Sequence, residues 1–395
     1  MSEVRPVHLM LVCGEPSGDL LGAQLMAGLK TIAADRVRIS GVGGAAMQAQ
    51  GLKSLYPLDA TAVMGLREVV PRIPAILRRV REACDFALSA RPDAVILIDS
   101  PDFTHRIAQR LKRLDPSIRT VNYVAPQVWA SRAYRARKMA GYFDLVLALL
   151  PFEAPFFEKF GLHSVFVGHP AIERAPKIKG GAQFRARLGL AARAPLLAVL
   201  PGSRTNEIRF ILPVFRAAVA EAAKTVPGLV CALATVPHVA DRVRAATQDW
   251  PTPLHIVEGE ADKFACFDAV DVALAASGTV TTELAMARKP MVVGYRAGWL
   301  TYLLALPLMN VRYITLVNIL LDREAVPEFL QARCRPTNLA RAVTTLFRDG
   351  DARTAQIADL EQATRLLGLG GEPPSLRAAR AILDFVAAQR SASGT

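Results

Sequence analysis

The sequence predicts a two-domain α/β protein in which each domain is a doubly wound parallel sheet. Short, almost continuously apolar runs alternate with helical patterns nearly throughout the chain, as expected for parallel strands covered on both faces. The series stops at a polar, basic, strandless stretch, "ERAPKIKGGAQFRARLGLAARAP" (173–195), and then restarts. The length, 395 residues, is also ample for two cores. Two such domains place ligands in a cleft at the carboxyl ends of their strands.

In the first domain, 1–172, the strands are "VHLMLVC", "VRISGVG", "AVILID", "TVNYVAP" and "LVLALL". The first runs into a small-residue loop holding Gly14, Glu15, Ser17, Gly18 and Asp19, followed by a helical pattern. That setting usually cradles phosphate. Here there is no Walker lysine, the glycines fall at 14, 18 and 22, and Glu15 and Asp19 would repel an anion. Further on, "AVILIDSPDFTHRIAQRL" puts Asp99 at the end of a buried strand, where a carboxylate is a candidate general base. Asp102, after Pro101, reads as a helix-start residue. A metal held by both aspartates would lack further ligands nearby.

The second domain, 196–336, continues with "LLAVLPG", "LVCALAT", "LHIVEG", "VALAASG" and "PMVVGYR". "LAVLPGSRTNEI" ends a strand on Gly202, Ser203 and Arg204, where the arginine either forks onto a diphosphate or is simply solvated. "VALAASGTVTTELAMARKP" repeats the design with Ser277, Gly278 and Thr279 at a helix start that favours an anion. Glu283, one turn later, is either a ribose-hydroxyl acceptor or an ordinary surface glutamate. Together the two loops outline a nucleoside diphosphate site. Residues 337–390 read as helices, and "RSASGT" as a frayed tail.

Composition narrows the class. Apolar residues make up 52% and charged residues 21%, and no window reaches the roughly 20 apolar residues of a spanning helix. The nearest, 299–309, contains Pro307 and stops at Asn310. The N-terminus lacks a secretory pattern. Five scattered cysteines suggest buried free thiols in a reducing compartment, not zinc or disulfides. The net charge of +13 fits nucleic acid, an anionic membrane or phosphorylated substrates. Two stretches concentrate it. In 66–81, Leu66, Val69, Val70, Ile73, Ile76 and Leu77 recur at roughly helical spacing among arginines, with Val63 and Met64 just ahead. This is a core-facing or an interfacial helix, and Pro71 and Pro74 argue against an unbroken one. The other, "SRAYRARKMA", is a phosphate site or a solvated face.

Taken together, "GEPSGDLLGA", "DSPDF", "YVAPQVWA", "FVGHP", "LPGSRTNEI", "ASGTVTTELAMARKPMVVGYR" and "VPEFLQ" resemble the lipid-A-disaccharide synthase family, in that family's order, over about residues 8–335. Pro16, Val317 and the absence of a second tryptophan near Ala130 depart from its pattern. The resemblance implies a GT-B architecture, two Rossmann-like domains facing across a cleft, with the C-terminal helices crossing back to the first. It implies inverting transfer of diacylglucosamine from UDP-2,3-diacylglucosamine to 2,3-diacylglucosamine 1-phosphate, giving the β-1,6 disaccharide 1-phosphate and UDP, with no metal and no cofactor. Asp99 would be the base. Gly202, Ser203, Arg204, Ser277, Gly278, Thr279, Glu283 and Asn318 would bind the nucleotide, and Gly14, Glu15, Ser17, Gly18 and Asp19 would face the acceptor sugar.

It further implies a cytoplasmic enzyme attached peripherally to the inner face of the inner membrane, and it suggests a homodimer. Acyl chains lose about 0.8 kcal/mol per CH₂ on leaving lipid, so the enzyme must come to the bilayer. Segment 63–81 then becomes an expected contact with anionic lipid. A UDP-sugar epimerase of the same fold is the competing enzyme class. A non-catalytic RNA-binding protein would explain the charge, but the sequence shows no RNP, KH or zinc pattern, so no nucleic-acid partner is expected.

Overall fold

The computed structural model describes residues 5–58, 66–129, 134–191, 193–296, 298 and 312–393, with backbone alone for 66–72 and 393. The chain forms two compact units, one of residues 1–170 with 371–395, the other of residues 171–370.

In the first unit the order is β1 (Val7–Cys13), α1 (Pro16–Ala33), β2 (Val37–Val42), α2 (Ala45–Ala49), α3 (Leu66–Ala90), β3 (Ala94–Ile98), α4 (Pro101–Leu114), β4 (Thr120–Tyr123), α5 (Tyr134–Ala140), β5 (Leu145–Ala148), α6 (Glu153–Glu158) and β6 (Ser164–Phe166). All six strands are parallel, in the order β2-β1-β3-β4-β5-β6. The order reverses between β1 and β3, whose ends Cys13 and Ile98 are paired. Every residue of β3 is fully buried. Its four largest side chains each contribute about 1.5–3 kcal/mol, so the strand end carrying Asp99 has a rigid base.

The second unit contains α7 (Gly181–Arg187), β7 (Leu196–Leu200), α8 (Thr205–Ala223), β8 (Val230–Thr235), α9 (Pro237–Ala246), β9 (Leu254–Glu258), α10 (Glu260–Ala269), β10 (Val272–Ala275), α11 (Thr279–Met286), β11 (Met291–Tyr295), α12 (Leu316–Leu321), β12 (Glu328–Leu330), α13 (Pro336–Arg348) and α14 (Gly350–Leu366). Its sheet is again parallel, β12-β11-β10-β7-β8-β9. The reversal here lies between β7 and β10, with Leu200 paired to Ala275. Both loops singled out in this half begin at those two strand ends. A last helix, α15 (Pro374–Ser393), belongs to the first unit.

That helix packs along α1, where Gly28 admits it: a Cβ there would lie 2.7 Å from the Ser375 carbonyl oxygen. Its far end is fastened by Arg390, which donates to both Asp93 oxygens (3.0 and 2.8 Å) and to the carbonyls of Arg5 and Pro6. Burial works against the Asp93 anion, but Arg390 and the His8 N–H prevail and hold its pKa below the usual value.

Three segments differ from the sequence reading in detail. Stretch 173–195 is not bare linker: a 3-10 segment (Pro170–Lys177) and α7 occupy much of it, and α7 packs on α10. Of the terminal helices, α13 and α14 stay with the second unit and α15 alone lies in the first. Helix α3 runs unbroken to Ala90 although it contains Pro71 and Pro74. Both prolines lie past the first turn, at the sixth and ninth positions, where each removes one backbone hydrogen bond, and the helix continues through them. Among the described residues no helix is long and apolar enough to cross a membrane, and 299–311 lie outside them.

Candidate active site

The glycine loop of the first unit lies against the end of β3. A Cβ on Gly14 would come within 2.9 Å of Ser100 Cβ, and one on Gly18 within 3.0 Å of Cys13 Cβ. Asp99 and Ser100 are both left-handed, with φ of 54° and 46°. Neither is glycine, and two such residues in succession store strain on the order of 1–3 kcal/mol each. Thr104 holds the turn by donating its hydroxyl to the Asp99 carbonyl at 2.6 Å. The Asp99 N–H still donates to the Tyr123 carbonyl at 2.9 Å, so the turn starts from an intact ladder.

The Asp99 carboxylate is oriented at both oxygens. Oδ1 accepts the Ser100 N–H at 2.8 Å and Oδ2 the Ser17 hydroxyl at 2.9 Å. Glu15 stands close by: burial and the Asp99 charge raise its pKa, the Ser100 hydroxyl lowers it, and Asp102 raises it further. A third left-handed residue, Val124 at φ 72°, directly follows the neighbouring β4, a conformation strongly disfavoured for a β-branched side chain. The stretch after it is anchored where Trp129 Nε1 donates to Glu153 at 2.9 Å. Glu153 also accepts the N–H groups of Leu149 and Leu150, and burial raises its pKa.

Asp19 is placed otherwise than expected. It is buried, and its two oxygens accept the N–H groups of Gly44, Ala46 and Met47 at 2.8–3.0 Å. These are the orphan donors at the start of α2, whose own N-cap is a glycine. A capless "GVGGAA" turn was the available signal for an external cap. Asp19 therefore shapes the floor of the loop and offers no free carboxylate.

In the second unit, Gly202 has φ 109°, and a Cβ there would collide with the Glu207 side chain. Glu207 accepts the N–H groups of Ser203 and Arg204 at 2.9 and 3.1 Å. The backbone donors expected to cradle phosphate are thus taken by the third residue of α8, as in a capping box. The loop still offers a ligand the exposed Ser203 side chain and the Arg204 guanidinium, the latter 75% exposed and 3.4 Å from Glu207. The α11 start is more open: Gly278 and Thr279 are exposed, while the Ser277 hydroxyl donates to the Ile314 carbonyl at 3.2 Å.

Glu283 is no surface glutamate. Its side chain is 5% exposed and accepts from Arg174 at 3.0 Å and from Lys263 at 2.9 and 3.0 Å. Sequence reading missed both cations, because neither is near Glu283 in the chain.

Asn318 also departs from its expected role as a ligand contact. Its amide nitrogen donates to the Val326 carbonyl and Glu328 at 2.7 Å, and its oxygen accepts the N–H groups of Ala325 and Val326 at 2.8 Å. Fully buried, it closes the turn between α12 and β12. Glu328, also missed, is the centre of that knot: it accepts from the Ile314 and Thr315 N–H groups and from the Thr315 hydroxyl.

Of the expected membrane residues, Val63 and Met64 lie outside the described residues, as do the side chains of Leu66, Val69 and Val70. Ile73 and Leu77 are exposed, at 44% and 37%, one turn apart on α3, while Ile76 packs against the core. In the second basic stretch, Arg132 lies outside the described residues, and Arg135, Arg137 and Lys138 are exposed on α5.

Two parallel Rossmann-like units, each with a glycine loop at its reversal point, define the class: a GT-B-type glycosyltransferase fold. The particular family follows from the sequence, which matches the lipid-A-disaccharide synthetase family over residues 9–372, and the chain belongs to that family. It is 46% identical to the lipid-A-disaccharide synthase of Rhodospirillum centenum over 383 residues, 97% of this chain and 96% of the relative. The enzyme of the same name from Paramagnetospirillum magneticum is also 46% identical, over 96% of this chain and 97% of its own. Among solved structures, UDP-GlcNAc 2-epimerase from Neisseria meningitidis, bound to UDP-GlcNAc, superposes with a TM-score of 0.60 at 13% identity, covering 96% of this chain and 99% of that one. Acinetobacter baumannii MurG gives 0.57 at 16%, with the same coverage. At such identities the likeness concerns the fold alone, so it does not favour the epimerase reading. The family match favours lipid A disaccharide synthesis.

Proposed function

We propose that the chain transfers diacylglucosamine from UDP-2,3-diacylglucosamine to the 6-hydroxyl of 2,3-diacylglucosamine 1-phosphate, with inversion and without a divalent cation. The observation that carries this reading is the Asp99 turn: a strained strand end presenting an oriented carboxylate beside an acidic, glycine-flattened loop. Asp99 takes the hydroxyl proton as the oxygen attacks the anomeric carbon. The bond to the diphosphate breaks with its electron pair, and UDP leaves. Arg204 and the α11 start stabilise the charge that develops there, while Glu283 accepts from the ribose. Glu15 and Ser17 meet acceptor hydroxyl and amide groups, which tolerate carboxylates as phosphates would not. Asp19 and Asn318 support these loops from behind.

The test uses micellar substrates in excess EDTA. Disaccharide formed in step with UDP, and lost in Asp99→Ala, supports the reading. No disaccharide from the unaltered protein sinks it.

The acyl chains of both substrates bring the enzyme to an anionic bilayer on the cytoplasmic side. Exposed Ile73 and Leu77 with Arg78 and Arg81 on α3 suit that surface. Ile73→Ser with Leu77→Ser is expected to reduce sedimentation with anionic vesicles several-fold while leaving thermal stability unchanged. Unfolding without loss of binding would return α3 to a purely structural role.

A further inference from the structure

Accepting hydrogen bonds from a ribose does not by itself require a glutamate to be clamped, yet Glu283 is held from two directions. Arg174 reaches it from the 3-10 segment at the start of the unit, and Lys263 from α10. The Lys263 ammonium bridges both carboxylate oxygens and rests over the rings of Phe264 and Phe267, 4.5 and 5.7 Å from their centroids. Buried ion pairs contribute little net stability, because desolvation offsets most of the attraction. What such an arrangement does achieve is to fix one carboxylate orientation.

Resting on the ribose role proposed above for Glu283, we infer that Lys263, assisted by Arg174, is a positioning residue for nucleotide recognition. It holds the Glu283 carboxylate in one orientation as an acceptor for the ribose hydroxyls of a nucleoside diphosphate. Arg174 and Lys263 both contact Oε1, whereas Oε2 takes only the Lys263 bond among those described. A carboxylate oxygen accepts about two hydrogen bonds, so Oε2 keeps room for a hydroxyl. Two cations against one anion also leave a net positive charge in the unit whose α11 start is proposed to receive the diphosphate.

The test compares calorimetric binding of UDP and 2′,3′-dideoxy-UDP to the full-length protein. The unaltered protein is expected to prefer UDP by roughly tenfold or more, the scale of a hydrogen bond to a charged group. Lys263→Met should weaken UDP towards the affinity of the dideoxy nucleotide while leaving the latter within about twofold. Lys263→Arg should restore most of the preference. Arg174→Met, which removes one contact of three, should lose less, and it decides the matter if Lys263→Met fails to fold. A preference kept in both methionine variants, or equal weakening of the two nucleotides, would overturn the inference alone. No preference in the unaltered protein would overturn the ribose role of Glu283 and the inference with it.

Discussion

The two units share a parallel, doubly wound design, with strand orders that differ on one side of the reversal point, and their loops carry opposite charge. In each, a loop with a glycine follows the strand at the reversal point, between β1 and β3 or between β7 and β10. At the first, burial and the Asp99 charge raise the pKa of Glu15, and among the described residues neither acid forms an ion pair. At the second, each acid has a cation: Glu207 has Arg204, and Glu283 has Arg174 and Lys263. The fold supplies the position of a ligand site. Which ligand it suits is decided by a handful of charges on the loops, so an acidic loop and a cationic one can divide acceptor and donor between them.

The largest expected effect comes from removing the acid proposed as the base. Asp99→Ala is expected to lower kcat by about 10²–10⁴, the usual contribution of a general base, with smaller changes in KM, read in the micellar disaccharide assay. A kcat within threefold of the unaltered protein would take the base elsewhere. Removing charge from the donor side should act differently: Arg204→Ala should weaken UDP binding by roughly tenfold, as for one charge-assisted hydrogen bond, in titration calorimetry. An unchanged UDP affinity would mean that the guanidinium is merely solvated.

Asp19 and Asn318, ligand contacts on the sequence pattern, are engaged with backbone groups instead. Replacing either with alanine leaves buried N–H or C=O groups unpaired, which costs about 1–3 kcal/mol. A fall of several degrees in melting temperature with unchanged nucleotide affinity is the expected outcome. A ten-fold loss of affinity without destabilisation would restore a direct role.

These two residues also show where sequence reading stops. The strands, their parallel order of appearance and the loops at the strand ends are local, and period and glycine placement carry them. That is why the sequence alone puts Asp99, Arg204 and the α11 start at strand ends. The partners of a polar side chain are not local. Asp19 meets Gly44 25 residues away, and Glu283 meets Arg174 109 residues away. No pattern of spacing separates a carboxylate that caps a distant helix from one that faces a ligand. The prolines of α3 are a related case: each costs one helical bond, and the packing of α3 on α4, a tertiary contact, decides whether the helix survives it.

The smallest expected effect concerns acid. Burial lowers the pKa of three histidines in the first unit, His8, His105 and His169, the last two to about 4. For His105 the nearby charge of Arg135 lowers it further. A group whose folded pKa is below its unfolded value of about 6.5 stabilises the fold above that pH. The contribution is lost as pH falls towards 4. Glu15 and Glu153 act in the opposite sense: their raised pKa values favour the folded state as pH falls through the window above 4.5. Several groups therefore act in opposite senses, and a difference measurement is needed to see the histidine. His105→Phe keeps an aromatic ring between Tyr142 and Phe143 and removes the titration. Between pH 7 and 4.5 its melting temperature should fall by a few degrees less than that of the unaltered protein. Parallel curves would mean that His105 titrates alike in the folded and unfolded chain.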